Sequence, residues 1–143
     1  MVVVDVANVM GARADGWWRD RAGAALRLCR EVAALARRGG DGTGEGDDEH
    51  GPVSAAEWVL VLEGKAREAA REFDGGDGHG HAASLVRVVS APGSGDDAIV
   101  GVVDEVVVRD ETCLVVTADR ELRQRCEERG ASVTGPGWLL RML

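Results

Sequence analysis

The sequence predicts an α/β protein, a three-layer α/β/α sandwich with a mostly parallel central sheet. Short runs rich in Val and Leu alternate along the chain with longer stretches of helical periodicity. The runs are apolar at nearly every position, which is typical of parallel strands that are buried on both faces. Consecutive parallel strands need crossover connections, and the helical stretches between the runs provide them.

The same alternation predicts where each element lies. Five strands are expected at 2–6, 57–63, 85–89, 112–117 and 132–134. Helices are expected at 16–38, 65–72, 96–108 and 120–129, with a terminal apolar turn at 138–143. Asp15 is the expected N-cap of the first helix, because Asp accepts hydrogen bonds from unpaired backbone N–H groups there. Helical spacing places Trp18 on the apolar face of that helix, and therefore in the core.

The length of 143 residues predicts one domain, residues 1–143, and two glycine-rich segments interrupt it. Segments 39–52 and 75–81 are too polar and too rich in glycine to bury a core, so they are expected to be flexible loops. No apolar run is long enough to cross a membrane. The first strand begins at Val2, which leaves no room for a signal peptide and favours a cytoplasmic location. Three cysteines, an odd number without metal-type spacing, predict buried thiols.

The net charge of −8 argues against a plain nucleic-acid-binding module. Affinity for phosphates comes mainly from neutralising cations, and Lys65 is the single lysine of this chain. The net charge argues less strongly against an enzyme whose acidic site is local and whose arginines are clustered. A homodimer is a further expectation for this protein.

Acidic residues stand where four of the predicted strands end or lead into the next helix. They are Asp5, Glu63, the pair Asp96 and Asp97, and Asp119. Ligands of open parallel sheets bind outside the carboxyl ends of the strands, so these carboxylates are candidates for one site. Carboxylates that are gathered together repel one another, and a hard divalent cation with oxygen ligands relieves that repulsion. Asp5 is the strongest candidate, since an unpaired carboxylate inside an apolar strand is costly.

Each position has a structural alternative. Asp5 could cap the turn that follows its strand, and Asn8 could either orient Asp5 or serve only that turn. Asp96 and Asp97 open a helix, where acidic residues are favoured, and Asp119 could be the N-cap of the helix after it. Convergence of all these positions favours a functional site over separate capping roles.

Four short motifs, in order, resemble the PIN-like superfamily. They are VVDVANV around Asp5, VLEG around Glu63, GSGDDAI around Asp96, and VVTADREL around Asp119. The chain is most similar to the NYN branch, which includes the YacP-like bacterial ribonucleases, over residues 2–128 outside the glycine-rich segments. The resemblance implies that Asp5, Asp96 or Asp97, and Asp119 bind Mg²⁺ or Mn²⁺, with Asn8 assisting. Glu63 stands where YacP-like proteins often have Asp, and a metal-binding role for it is a further expectation.

The expected function is metal-dependent endonucleolytic cleavage of RNA, with single-stranded or looped RNA as the substrate. Arginines and a tryptophan near the start of the first helix are the expected RNA contacts: Arg13, Trp17, Arg19 and Arg21. Two other functions stay open. One is a catalytically weak PIN-like module that binds RNA or protein, and the other is hydrolysis of small nucleotides.

Overall fold

A five-stranded, fully parallel sheet forms the centre of the protein in the computed structural model, which describes residues 1–39, 57–76 and 86–143. The strands are β1 (Val2–Asp5), β2 (Trp58–Leu62), β3 (Val86–Ser90), β4 (Leu114–Val116) and β5 (Ser132–Thr134). Their order across the sheet is β3-β2-β1-β4-β5. The predicted parallel sheet is confirmed, with each observed strand shorter than or equal to the predicted one.

The described residues contain six α-helices, of which the first five lie between strands. They are α1 (Val6–Gly11), α2 (Arg21–Gly39), α3 (Glu68–Gly76), α4 (Gly95–Val108), α5 (Arg120–Glu128) and α6 (Pro136–Leu140). Two short 3-10 helices, Trp17–Arg19 and Gly64–Arg67, precede α2 and α3. No helix in the described part of the chain is long and apolar enough to span a membrane.

The sheet is covered on both faces, because successive side chains of a strand point to opposite sides. In β1, Val2 and Val4 belong to the core layer that contains α1, α2, α3 and α6. Val3, between them, belongs to the layer formed with α4 and α5. Every residue of β1 and β2 is buried, which explains the continuous apolar runs in the sequence.

The strand order changes direction beside β1. The chain moves outward from β1 to β3 and then crosses by α4 to β4, on the other side of β1. Val4 of β1 is in register with Val116 of β4, so the two strands end side by side while their connections diverge. Such a switch point opens a crevice at the carboxyl ends of the strands. The fold therefore selects the ends of β1 and β4 for a binding site.

The first strand ends one residue early, and a helix that the sequence did not predict follows it. Val6, Val9 and Met10 are buried on one side of α1, at the helical spacing i, i+3 and i+4. Val and Asn are weak helix formers, so burial of this face rather than intrinsic propensity stabilises the helix. The expectation of a plain turn after the first strand was wrong.

The long helix α2 begins at Arg21 rather than at Gly16, so the expected N-cap was also wrong. Asp20, not Asp15, is the N-cap, because its Oδ1 accepts a hydrogen bond of 2.9 Å from Gly23 N. The 3-10 helix Trp17–Arg19 before it has fewer residues per turn than an α-helix, so the two tryptophans point in directions other than those predicted. Trp18 was expected in the core and Trp17 on the surface. Trp17 packs against the core, whereas Trp18 is 57% exposed.

The glycine-rich segments lie largely outside the described residues. Helix α2 extends to Gly39 and α3 extends to Gly76, which is two residues into the expected second loop. The cysteines are buried as expected, at positions 29, 113 and 126. Burial also raises the pKa of the Cys126 thiol to about 11, so this group stays protonated at neutral pH.

Candidate active site

Asp5 is a carboxylate buried at the carboxyl end of the central strand, with a residue exposure of only 7%. Its Oδ2 accepts a hydrogen bond of 3.0 Å from the Thr117 hydroxyl, and its Oδ1 accepts a longer one of 3.4 Å from Asn8 N. The second bond makes Asp5 the N-cap of α1. The capping alternative is therefore correct for Asp5, and it coexists with burial in an acidic environment.

Thr117 connects the ends of β1 and β4, a role that the sequence reasoning did not assign. The side chain is fully buried, donates to Asp5, and accepts a hydrogen bond of 3.2 Å from Asp119 N. A polar residue directly after the apolar run at 113–116 was the signal that could have identified it. Thr117 positions both Asp5 and the loop that carries Asp119.

Asn8 adds a second connection between the same two strand ends. Its Oδ1 accepts a hydrogen bond of 2.8 Å from Ala118 N, one residue before Asp119. Asp119 in turn is the N-cap of α5, since its Oδ1 accepts from Leu122 N at 3.1 Å. The expected helix-capping role of Asp119 is therefore present. Asp119 is exposed and follows β4 by three residues, at the carboxyl-end edge of the sheet.

Glu63 joins the end of β2 to the start of α4. Its Oε2 accepts a hydrogen bond of 2.6 Å from Gly95 N, the first residue of that helix. A Cβ atom at Gly95 would lie only 2.7 Å from the same oxygen, so glycine allows the carboxylate to approach the backbone. A carboxylate is favourable at a helix N-terminus, where unpaired N–H groups and the helix dipole meet.

Asp96 and Asp97 differ in their surroundings. Asp97 is exposed, with a side-chain exposure of 74%, and Arg125 Nη2 of α5 lies 3.0 Å from its Oδ1. Its backbone N–H also donates to the Ser94 hydroxyl, the N-cap of α4. Asp96 is half-buried and is electrostatically coupled to both Glu63 and Asp119. Asp97 thus serves the helix start and an ion pair, and Asp96 belongs to the acidic group around Asp5.

Burial and mutual repulsion raise the pKa values of this acidic group. The pKa of Asp5 is raised to about 6, mainly because burial penalises the charged form; the hydrogen bonds from Thr117 and Asn8 oppose this rise, and the charges of Asp96 and Glu63 add to it. The pKa of Asp96 is also raised, mainly by burial and then by the charges of Asp119 and Glu63. Glu121 of α5, which the sequence reasoning did not select, contributes to the same repulsion at Asp96.

The donor chemistry of this group fits a hard divalent cation. Asp5, Asp96, Asp119 and Glu63 present carboxylate oxygens, which are the ligands that Mg²⁺ and Mn²⁺ prefer. Their mutual repulsion is the kind that a bound cation relieves. Within residues 1–39, 57–76 and 86–143, no three His, Cys, Asp or Glu side chains are already placed to hold an ion together. The match between this acidic group and a divalent cation therefore rests on the oxygen donors of the side chains, their negative charge and their common location at the carboxyl ends of the strands.

The expected RNA-contact residues lie before and at the start of α2. Arg13 Nη2 lies 2.6 Å from Glu31 Oε2 on α2, so its charge is already paired within the protein. Arg19 lies over the Trp18 ring, at 5.9 Å from its centroid, and Arg21 lies over the Trp17 ring at 5.6 Å. The two indole rings meet edge to face, at 6.1 Å between centroids. Trp18, rather than Trp17, is the more exposed of the two indoles.

Comparison with known proteins supports the fold. No protein-family model matches the sequence, and no curated protein matches it. Among solved structures, the chain is similar to the crystal structure of Rae1 (YacP) from Bacillus subtilis, in its W164L mutant form. The TM-score is 0.60 at 14% sequence identity, and the match covers 98% of this chain and 71% of that one. At this identity, the similarity establishes a YacP-like α/β fold.

Replacement of Asp5 by Asn is expected to stabilise the metal-free protein at neutral pH. Asp5 has a folded-state pKa of about 6 against an ordinary 3.8, so the native state binds more protons than the unfolded chain between these values. The wild-type free energy of unfolding therefore falls as pH rises from about 4 to about 6, by about 3 kcal/mol in total. Asn removes the ionisation, so urea unfolding at pH 7.5 should favour the variant by about 2–3 kcal/mol.

The pH dependence separates this effect from a general change in packing. The stability difference between Asp5→Asn and wild type should shrink to about 1 kcal/mol or less at pH 4.5, because the native Asp5 is then protonated. An equal difference at both pH values would contradict the raised pKa of Asp5.

Replacement of Thr117 by Val is expected to destabilise the protein by about 1–3 kcal/mol, because Asp5 Oδ2 and Asp119 N each lose a buried hydrogen-bond partner. It should also raise the pKa of Asp5 further, since the Thr117 hydroxyl lowers it. Thr117→Ser, which keeps the hydroxyl, is the matched control and should preserve the Asp5 pKa. Urea unfolding and an NMR titration of the Asp5 carboxyl measure both effects. A Val variant with wild-type stability and an unchanged Asp5 titration would show that this hydrogen bond does not matter.

Proposed function

We propose that this protein is an endoribonuclease that cleaves RNA phosphodiester bonds at the acidic crevice between β1 and β4. The observation that carries the proposal is Asp5, a buried carboxylate with a raised pKa at the switch point of a parallel sheet, coupled to Asp96 and Glu63. A structure that only needed to be stable would gain by replacing this group with an apolar side chain. Retention of a costly carboxylate in a crevice is typical of functional sites.

Two further observations support the choice of RNA cleavage over other chemistry. The fold resembles that of Rae1 (YacP), and the motifs around Asp5, Asp96 and Asp119 resemble those of YacP-like ribonucleases. The four carboxylates would hold Mg²⁺ or Mn²⁺, with Asp5, Asp96 and Asp119 as the principal ligands and Glu63 as an additional one. When bound, such an ion activates water and stabilises negative charge on a phosphate.

The residues of the chain itself position the reacting groups. Thr117 and the Asn8 backbone N–H hold the Asp5 carboxylate in one orientation, and each of its oxygens keeps capacity to accept another bond. Asn8 fixes the loop before Asp119, and Glu63 fixes the start of α4 before Asp96. The half-buried Asp96 is the member of its pair that serves the site, because Asp97 is engaged by Arg125.

Single-stranded RNA is the substrate that suits the surface beside this crevice. Helix α2 carries the chain back from the end of β1 toward the start of β2, so its beginning lies on the carboxyl-end side of the sheet. There Trp18 offers an exposed ring for a base, and Arg19 and Arg21 offer cations for phosphates. Stacking requires a base that is not already inside a duplex, which favours unpaired RNA. Arg13 contributes mainly through its ion pair with Glu31.

A cleavage assay with matched variants tests the proposed activity. Wild type should cleave single-stranded RNA in Mg²⁺ or Mn²⁺ but not in chelator, and Asp5→Asn should lower the rate by at least about a hundredfold. Asp104→Asn is the control, because Asp104 is an exposed residue of α4 that pairs with Arg129 at 3.1 Å, outside the acidic group. It makes the same chemical change and should keep wild-type activity.

The other outcomes of this assay decide among the alternatives. Cleavage that persists in Asp5→Asn would overturn the role of the crevice. RNA binding without cleavage by wild type would favour a binding module, and hydrolysis of free nucleotides alone would favour a phosphohydrolase.

Replacement of Trp18 by Ala is expected to weaken single-stranded RNA binding by about tenfold, since stacking of one base on an aromatic ring contributes on the order of 1–3 kcal/mol. Fluorescence anisotropy with a labelled RNA in chelator measures binding apart from cleavage. Val108→Ala is the control, because Val108 is an 85% exposed apolar residue at the end of α4. If both variants bind like wild type, RNA does not use the Trp18 face.

A further inference from the structure

Arg67 lies at the carboxyl-end edge of the sheet, in the 3-10 turn that follows Glu63. Its Nε donates to Gly64 O at 3.1 Å and its Nη1 donates to Ala91 O at 3.3 Å. Gly64 is the first residue after Glu63, and Ala91 is the first residue after β3. The guanidinium therefore bridges the ends of β2 and β3, and it is fixed by backbone atoms rather than by a flexible partner.

The two loops that hold this guanidinium also carry residues of the acidic group. The loop after β2 carries Glu63, whose carboxylate binds Gly95 N. The loop after β3 begins at Ala91 and leads directly to Gly95 and Asp96. Ala91 is itself fixed, because its N–H donates to Leu62 O at 2.8 Å. Arg67 is thus held on the frame that holds Glu63 and Asp96.

The charge of Arg67 is not neutralised by a carboxylate in the described residues. Ion pairs there join five other arginines to acidic residues: Arg13 to Glu31, Arg27 to Asp15, Arg123 to Glu127, Arg125 to Asp97, and Arg129 to Asp104. The partners of Arg67 are carbonyl oxygens, which orient a guanidinium without cancelling its charge. A guanidinium has five N–H donors, and these two bonds leave three of them for another acceptor. The side chain is exposed, so such an acceptor can reach it from solvent.

We propose that Arg67 is a phosphate-binding residue that holds a phosphodiester of single-stranded RNA next to the one that is cleaved. This inference rests on the proposed function and specifies how the substrate is held. A planar guanidinium in a fixed orientation is suited to bidentate contact with two phosphate oxygens. Lys65, which is exposed in the same turn, adds positive charge on this side. Together with Arg19 and Arg21, these cations give a strongly acidic protein a local path for a polyanion.

Substitution of Arg67 by Met provides the direct test, because Met keeps an apolar stem and removes the charge. Binding is measured by fluorescence anisotropy in chelator with a labelled single-stranded RNA about 12 nucleotides long. Arg67→Met should weaken binding by about tenfold and should reduce the slope of log affinity against log salt by about 0.7, the value for one lost phosphate contact on a single strand. Arg67→Lys, which keeps the charge without the planar fork, should restore the slope but only part of the affinity.

Arg71→Met is the matched control. Arg71 is an exposed arginine of α3, four residues further on, and its loss makes the same change in net charge. It should change affinity by less than about twofold and leave the salt slope unchanged, if the contact depends on position rather than on total charge. Thermal unfolding should show both Met variants folded, since the carbonyl partners of Arg67 can bind water in its absence.

Each outcome separates this inference from the proposed function. If Arg67→Met binds RNA like wild type, or if Arg71→Met is equally impaired, the assignment of Arg67 is overturned. If wild type fails to cleave RNA while Arg67→Met still loses affinity and salt slope, the phosphate contact stands and the endonuclease proposal fails. If Arg67→Met proves unfolded, the RNA affinity and salt slope of Arg67→Lys test the inference instead. Wild-type affinity in Arg67→Lys would overturn a contact that requires the planar guanidinium of arginine.

Discussion

The hydrogen bond from the Thr117 hydroxyl to Asp5 Oδ2 is the interaction on which the candidate site depends. Asp5 is buried, and a buried carboxylate is costly unless polar groups or cations compensate for its lost hydration. The register of β1 with β4 supplies that compensation, because it ends the two strands side by side and brings Thr117 next to Asp5. The same hydroxyl accepts from Asp119 N, so one side chain positions two of the three principal carboxylates. The site is therefore a property of the strand order.

The remaining acidic residues are held in a similar way, by a bond between a side chain and the backbone of another element. Asn8 holds the loop before Asp119, and Glu63 holds the first residue of α4. These contacts satisfy backbone N–H groups at helix starts and strand ends, so Asn8 and Glu63 also have structural roles. Functional and capping interpretations of these residues do not exclude each other. A residue can cap a helix with one oxygen and direct the other toward a crevice.

The distribution of charge explains how a protein with a net charge of −8 can suit a polyanionic substrate. Net charge describes the long-range field, whereas binding of a phosphate depends on the few cations within reach. Five arginines pair with carboxylates in the described residues, and these pairs are electrically neutral at a distance. Arg67 is bound only by carbonyl oxygens, and Arg19 and Arg21 lie over indole rings. Their charges stay available on the side of the sheet where the strands end.

The sequence by itself determined the parallel sheet and the acidic residues at its carboxyl-end edge. Short apolar runs that lack alternation are typical of strands buried on both faces, and helical stretches between them favour parallel connections. Local patterns could not decide which carboxylates meet, because that depends on which strands are neighbours. Tertiary structure decided that Arg125 of α5 pairs with Asp97, whereas Asp96 is half-buried and is coupled by charge to Asp119 and Glu63. It also decided that α1 is helical and that Trp18 is exposed, because burial of Val6, Val9 and Met10 outweighs weak local propensity, and a 3-10 turn shifts the helical phase before α2.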